Sequence, residues 1–211
     1  QGIYDLSAYT SLLSTATTTV GTDKIYLTTS SALPTGFAPT LSLEVSDGGT
    51  STAKTIIGGS ADSTLTGGTG NDYISGGAGN DSLIGDNGND ILIGGSGNDS
   101  LTGASGADLF IWKSGDTGND VIKDFNAGEG DRIDLRDLLP DLTDATMSNF
   151  LQIDTTSNSL LISSTGQLNA AGGTVASHAD TTIKLDGFDL SSTSINSLIA
   201  NADPTIKVDH S

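Results

Sequence analysis

The 211 residues contain no cysteine, one tryptophan, one methionine, four prolines and only 8 lysines and arginines. Without cysteine there is no disulfide, no thiolate metal site and no cysteine nucleophile. The eight cations are scattered, so no basic patch exists to meet a nucleic-acid backbone. The net charge of −18 also opposes an anionic membrane surface. No apolar run approaches the length of a bilayer span, which excludes insertion by a helix. Aromatic residues make up 5%, too few for one large packed core. Such a chain must build from small residues or bind something that holds it together, and a metal is one candidate staple. The sequence opens on Gln1, not Met, and reads as a fragment or processed form.

What is present is lopsided. Of 26 acidic residues only Glu44 and Glu129 are glutamate. Aspartate has the shorter arm and suits turns and cation cages. Glycine contributes 28 residues, 19 of them between Gly58 and Gly130. Laid out in nines from Gly58, the chain reads GGSADSTLT, GGTGNDYIS, GGAGNDSLI, GDNGNDILI, GGSGNDSLT and GASGADLFI. After a three-residue insertion at 112–114 comes GDTGNDVIK. Gly-Asn-Asp occurs five times, ending at Asp72, Asp81, Asp90, Asp99 and Asp120. Position eight is always apolar: Leu65, Ile74, Leu83, Leu92, Leu101, Phe110 and Ile122. A flexible glycine-serine linker needs neither regularity.

The first six residues of a unit are turn chemistry, since glycine and asparagine reach backbone angles closed to other residues. The last three predict a short strand with one side chain facing inward. Nine residues then make half a coil and two units a full one, so alternate units stack on opposite edges. Stacking places the position-six aspartates about 4.8 Å apart, where bare carboxylates repel. A divalent cation between coils reverses that sign. Carboxylates with backbone carbonyls, and no histidine or cysteine, describe a hard-cation site whose flexible geometry favours Ca²⁺ over Mg²⁺.

The units starting at Gly67, Gly76 and Gly94 match GGxGxDxUx fully, and residues 58–123 resemble the RTX calcium-binding nonapeptide family. The resemblance implies a parallel β-roll, a β-solenoid, at the centre of the chain; with the flanking strands and helix read from their own patterns, the expected fold is all-β, with β-rich caps at both ends and a short C-terminal helix. The resemblance implies carboxylate ligands at Asp72, Asp81, Asp90, Asp99, Asp108 and, in the displaced last turn, Asp120. Its carbonyl donors would be Gly67, Thr69, Gly76, Gly77, Ala78, Gly79, Gly85, Asn87, Gly94, Gly95, Ser96, Gly97, Gly103 and Ser105. About four to six Ca²⁺ ions are expected. The first unit departs from the pattern, with Ala61 for glycine and Ser63 for aspartate, so its ion should be weak or missing; Asp62 is a marginal candidate there. Asp86 and Ala104 each replace a second-position glycine, where a carbonyl still serves if the backbone angle is tolerated. Asp124, Asp131 and Asp134 lie just past the last turn and could complete a terminal site. Asp131 and Asp134 could equally pair with Arg132 and Arg136 or cap a helix.

Three regions follow: an N-terminal β segment or end of an upstream domain at 1–57, the roll at 58–130, and a C-terminal region at 131–211. In the first, 24–27 and 41–45 read as strands, separated by turns around Pro34, Pro39 and residues 47–49. In the last, 150–153 and 160–162 read as a hairpin, 182–185 as a strand, and 194–200 as a short helix with Ile195, Leu198 and Ile199 on one face. Residues 118–139 look like the segment that ends many RTX rolls. IKLDGFDL (183–190) and INSLIANADPTIKVD (195–209) resemble the C-terminal target region of type I secretion substrates, especially large bacterial surface adhesins. The implied function is export-coupled folding of a secreted, extracellular or cell-surface monomer. Its partners would be a three-part ABC exporter and upstream adhesin domains.

Catalysis finds no support. GxSxG, HExxH and the P-loop are all missing, and a cation explains the aspartates better than acid–base work does. The chain is therefore read as no enzyme. His178 and His210 are far apart in sequence and read as loop residues. Trp112 reads as a cap on the widened coil. Asn80-Asp81-Ser82 and Asn98-Asp99-Ser100 match a glycosylation sequon by coincidence, inside the turns. Two other readings stay open: the same roll as the tail of a secreted lipase or metalloprotease, and a ligand- or ice-binding solenoid. The second needs a flat outward ladder, which Ser60, Thr69, Ala78, Asn87, Ser96 and Ser105 do not make.

Overall fold

The computed structural model describes residues 24–26, 41–44, 53–139, 142, 146–170, 174–199 and 204–208. The expected turns around Pro34, Pro39 and 47–49, the strand ends at Leu27 and Val45, and His210 and Ala200 lie outside these residues.

Alternating half-coils build two parallel sheets. One holds β1 (Lys24–Tyr26), β3 (Thr55–Ile57), β5 (Tyr73–Ala78), β7 (Ile91–Ser96), β9 (Leu109–Ile111), β11 (Arg132–Asp134) and β15 (Ile206–Lys207), in that spatial order. The other holds β2 (Leu41–Glu44), β4 (Ser63–Thr69), β6 (Ser82–Asn87), β8 (Ser100–Ser105), β10 (Gly118–Ile122) and β14 (Thr181–Leu185). The antiparallel hairpin β13 (Ser159–Ile162) and β12 (Leu151–Asp154) then extends its far edge. Register advances by one coil of 18 residues: Leu65 pairs with Leu83 and Leu83 with Leu101, while Ile74 pairs with Leu92 and Leu92 with Phe110. This is the parallel β-roll expected from the sequence.

The position-eight residues face each other across the two sheets and form the core. Leu65, Ile74, Leu83, Leu92, Leu101, Phe110 and Ile122 are all fully buried. Burying each such side chain contributes about 1.5–3 kcal/mol. One row of core residues per sheet suffices because the next inward-facing positions are the buried position-one glycines, which have no side chain to hold the sheets apart.

The strands are longer than the three residues expected. Tyr73–Ala78 and Ser82–Asn87 each continue through the first three positions of the next unit. The ladder survives there because Gly77 pairs with Gly95 and Ala78 with Ser96. Gly95 has φ +100°, and a Cβ there would strike the carbonyl of Gly77, so the glycine is required by both angle and space.

Both sheets run beyond the repeat. At the N-terminal end β1 pairs with β3 and β2 with β4. At the other end β11 pairs with β9, β14 with β10, and β15 with β11, all parallel. The C-terminal region thus adds rungs to the same two sheets. Ile133, Leu185 and Ile206 continue the core rows at full burial. The hairpin and the helix α2 (Ile195–Ile199), with Leu198 and Ile199 buried, fall where the sequence puts them. Phe150 does not: it ends a one-turn helix, α1 (Met147–Phe150), and the strand starts at Leu151. Its ring packs over Gly166, which has no Cβ to obstruct it. Asn158, at φ +56°, donates to the carbonyls of Leu185 and Phe188 and accepts from Leu190 N–H, tying the hairpin turn to the last strands. His178 ends a 3-10 turn, Val175–His178.

Candidate metal centre

Position six builds a column of buried carboxylates along each edge of the roll. Asp81, Asp99 and Asp120 stand on one edge; Asp72, Asp90, Asp108 and Asp131 stand on the other. All seven are no more than 3% exposed. Each turns Oδ1 back toward the preceding coil. There it accepts the backbone N–H of the residue one coil earlier: Ser63 to Asp81, Asp72 to Asp90, Asp81 to Asp99, and Asp90 to Asp108, at 2.7–2.8 Å. Position five runs a second ladder in the opposite sense. The side-chain oxygens of Asn71, Asn80, Asn89 and Asn98 accept N–H groups of the following coil at 2.8–2.9 Å. The Asn-Asp dipeptide therefore clamps each turn to both of its neighbours.

The second carboxylate oxygen is the informative one. Oδ2 of Asp81, Asp90, Asp99 and Asp108 is buried with no hydrogen-bond partner. A buried carboxylate oxygen left unpaired is costly, and such groups in folded proteins call for an ion or a proton. Burial drives the shifts that result. Asp81 and Asp90 are pushed up to about 6 and Asp108 to about 7; neighbouring carboxylates add to the rise and the backbone donors oppose it. Asp99 is raised for the same reason.

Backbone oxygens surround these carboxylates. A methyl group placed on Gly76 would collide with Oδ2 of Asp81 and lie 2.6 Å from the carbonyl oxygen of Gly94, one coil on. On Gly85 it would collide with Oδ2 of Asp90 and lie 2.8 Å from the carbonyl of Gly103. Gly67, Gly94 and Gly103 adjoin Asp72, Asp99 and Asp108 in the same way. The position-one glycines thus line a cradle of carboxylate and carbonyl oxygens that any side chain would fill. Among the described residues no three His, Cys, Asp or Glu side chains converge. That fits a site supplied by one or two carboxylates with carbonyls making up the rest. This donor set is all hard oxygen, without imidazole or thiolate, and fits Ca²⁺.

The structure sorts the remaining sequence-predicted residues. The position-three carbonyls of Asn87, Ser96 and Ser105 each accept a position-four N–H from the preceding coil, from Gly70, Gly79 and Gly88. A carbonyl has a second lone pair, so this bond leaves it able to ligate. Gly77, Gly79, Gly95 and Gly97 occupy the positive-φ corners of the turns, and Ala78 pairs with Ser96. Asp86 (φ +76°) and Ala104 (φ +69°) adopt the glycine angle despite their Cβ. Asp120 differs from the inner aspartates: its Oδ2 accepts the indole N–H of Trp112 at 2.7 Å. The insertion that carries Trp112 therefore places a donor where the other coils have none. Asp131 uses Oδ1 for Asp108 N–H and Oδ2 for Asn126 N–H. Asp124 accepts from the N–H groups of Gly103 and Ala104. Asp134 pairs with Arg136 at 2.6 Å; burial alone would raise it, but the guanidinium holds it below the usual carboxylate range. Asp62 stands at position five, one short of the carboxylate column, and there it accepts Asn80 N–H at 2.7 Å as the asparagines do.

One residue at this site is not predicted by the aspartate pattern. Lys54 holds position six of the half-coil before Gly58, and it is 3% exposed. Its N–H donates to Asp72 Oδ1 at 2.7 Å, as the aspartates of the column donate to theirs. Its signal lies in the spacing: Gly49 lies nine residues before Gly58, and Ile56 nine before Leu65.

The fold and site define a two-edged β-roll with oxygen cages between its coils. Residues 49–83 and 84–111 match the family model of the RTX calcium-binding nonapeptide repeat, in four copies, and these repeats bind calcium. The matched segment opens at 49 and so includes the half-coil of Lys54. Two solution structures of subunits of the Azotobacter vinelandii mannuronan C5-epimerase are similar to this chain. AlgE6R2 is 24% identical with a TM-score of 0.49, over 74% of this chain and 94% of that subunit. AlgE6R3 is 25% identical with a TM-score of 0.41, over 72% of this chain and 78% of that subunit. No curated protein matches the chain.

Proposed function

We propose that this chain is a calcium-triggered folding module of a protein exported by a type I system. Its roll stays unformed in the cytosol and forms outside the cell. The observation that carries the reading is the pair of buried aspartate columns with unpartnered oxygens. Without a cation the fold must bury like charges one coil apart, and the chain's charge of −18 favours expansion. Ca²⁺ removes both penalties, so binding free energy becomes folding free energy. The ligands are Asp72, Asp81, Asp90, Asp99 and Asp108, with the turn carbonyls of the glycine-rich positions around them. Extracellular-type sites bind at about 10⁻⁴–10⁻³ M, far above cytosolic free calcium. Proteins with RTX repeats are typically secreted, and no helix among the described residues is long and apolar enough to cross a membrane.

The region after 131 would carry the export target, as its resemblance to the ends of large adhesins suggests. Its strands β14 and β15 pair directly on the roll. In this reading the region leaves the channel first and remains strand-poor until the repeat folds against it. Folding outside then opposes back-sliding and nucleates what precedes it.

Far-UV circular dichroism of the chain, titrated from EGTA to about 10 mM Ca²⁺ with Mg²⁺ as control, tests this. A cooperative gain of β signal at about 10⁻⁴–10⁻³ M Ca²⁺ and none with Mg²⁺ is expected. A roll already formed in EGTA would remove the physical basis of the switch.

A further inference from the structure

The aspartate column on one edge begins with a lysine. Lys54 occupies the position that Asp72, Asp90 and Asp108 hold in the following coils, and its N–H makes the same bond to the next member of the column. Its side chain is buried, unlike those of Lys113, Lys123 and Lys184, which are exposed. The ammonium reaches the carbonyl of Thr69 at 3.4 Å, a position-three carbonyl of the next coil. Among the aspartates, Oδ2 of Asp90 and the position-one carbonyl of Gly103, one coil on, both crowd the place where a Cβ on Gly85 would stand.

We infer that the ammonium of Lys54 fills the first inter-coil gap on this edge, in the place a calcium ion takes in the gaps that follow. The charges support the exchange. A carboxylate with a divalent ion carries one net positive charge, and so does an ammonium. Both present a cation to turn carbonyls, but the lysine's is tethered and independent of calcium concentration. This gap therefore carries its cation at any calcium concentration, whereas the gaps that follow need the ion. On the other edge Ser63 holds the equivalent position and turns its hydroxyl to the carbonyl of Ala61, bringing no charge. The two edges thus start differently, one with a built-in cation and one without.

This inference rests on the reading that the inter-coil gaps hold calcium, and the experiment separates the two. Native mass spectrometry of the intact chain in saturating Ca²⁺ counts bound ions for the wild type, Lys54→Asp and Lys123→Asp. Wild type binding no ions would refute the reading itself. If wild type binds a fixed number, Lys54→Asp is expected to bind one more and Lys123→Asp the same number. An unchanged count in a folded Lys54→Asp chain would overturn the inference. So would a gain in Lys123→Asp, because any added aspartate would then suffice. Failure of Lys54→Asp to fold in saturating Ca²⁺ would overturn it too, since a gap shaped for an ion would be neutralised by one. Amine acylation of calcium-loaded wild type gives an independent readout. Lys54 should react at least about tenfold more slowly than Lys113 and Lys123, as expected of an amine held out of solvent; equal rates would refute the placement.

Discussion

Replacing Asp90 with asparagine should change stability in opposite directions with and without calcium. The side chain is 1% exposed, takes Asp72 N–H on Oδ1 at 2.7 Å, and leaves Oδ2 without a partner. Asparagine has the same shape. Its oxygen can keep the Asp72 bond, and its NH₂ would take the place of the unpartnered Oδ2. In the metal-free fold the aspartate is raised from 3.8 to about 6 by burial. A raised carboxylate destabilises the fold above its folded value, and each unit corresponds to about 1.4 kcal/mol. At pH 7 the substitution should therefore stabilise the metal-free roll by about 3 kcal/mol. In calcium the sign reverses, because a charged ligand is lost, and the calcium midpoint should rise about tenfold. Denaturant unfolding at pH 7 in EGTA and in 10 mM Ca²⁺ checks both arms, with an excluded osmolyte added in EGTA to bring the folded state into range. Equal destabilisation in the two conditions would refute the reasoning, since Asp90 would then be only a hydrogen-bond acceptor.

Three further outcomes are expected. In EGTA, β signal should grow as the pH falls from about 7 to about 4.5, because Asp108 is raised to about 7 and Asp81, Asp90 and Asp120 to about 6, so the folded state takes up protons the unfolded chain does not. At still lower pH the gain should reverse, as Asp134 and Asp154, held below their ordinary values by Arg136 and by Ser157 and Thr156, lose their charge; a flat circular-dichroism profile would refute both. Ala104→Gly should raise stability by about 1 kcal/mol in a thermal melt with calcium, by relieving a non-glycine residue at φ +69°. Trp112→Phe strips the donor from Asp120 Oδ2 and should cost about 1–3 kcal/mol in denaturant unfolding with calcium, whereas a silent substitution would show that the indole only fills space.

The register of nine is legible because each position makes one demand. Position eight must be apolar to reach the core, the turn positions need backbone angles that glycine takes, and position six carries a carboxylate in every unit from Asp72 onward. Repetition turns these demands into columns, so Leu65, Leu83 and Leu101, or Asp72, Asp90 and Asp108, align by their spacing alone. The short hairpin and α2 are legible for the ordinary reasons of alternation and periodicity. Lys54 is harder to read because aspartate is the mark of the repeat, and a lysine in the aspartate's place looks like the end of the pattern. Asp62 is hard to read for a related reason: it stands one short of the carboxylate column, and its Oδ1 takes Asn80 N–H as the position-five asparagines do.

By itself the sequence determined the coil, its two edges, its core rows and the oxygen chemistry of its turns, because all of these follow from contacts that recur every 18 residues and need no distant partner. Only the tertiary structure decided how the columns end. Trp112 meets Asp120 because the insertion folds back over the turn, and Asn126 meets Asp131 through a loop of its own. β14 reaches β10 from 63 residues away, Thr181 to Gly118. Pairings of that range depend on loop closure and on which edge is still open when the segment arrives, and no local pattern encodes either.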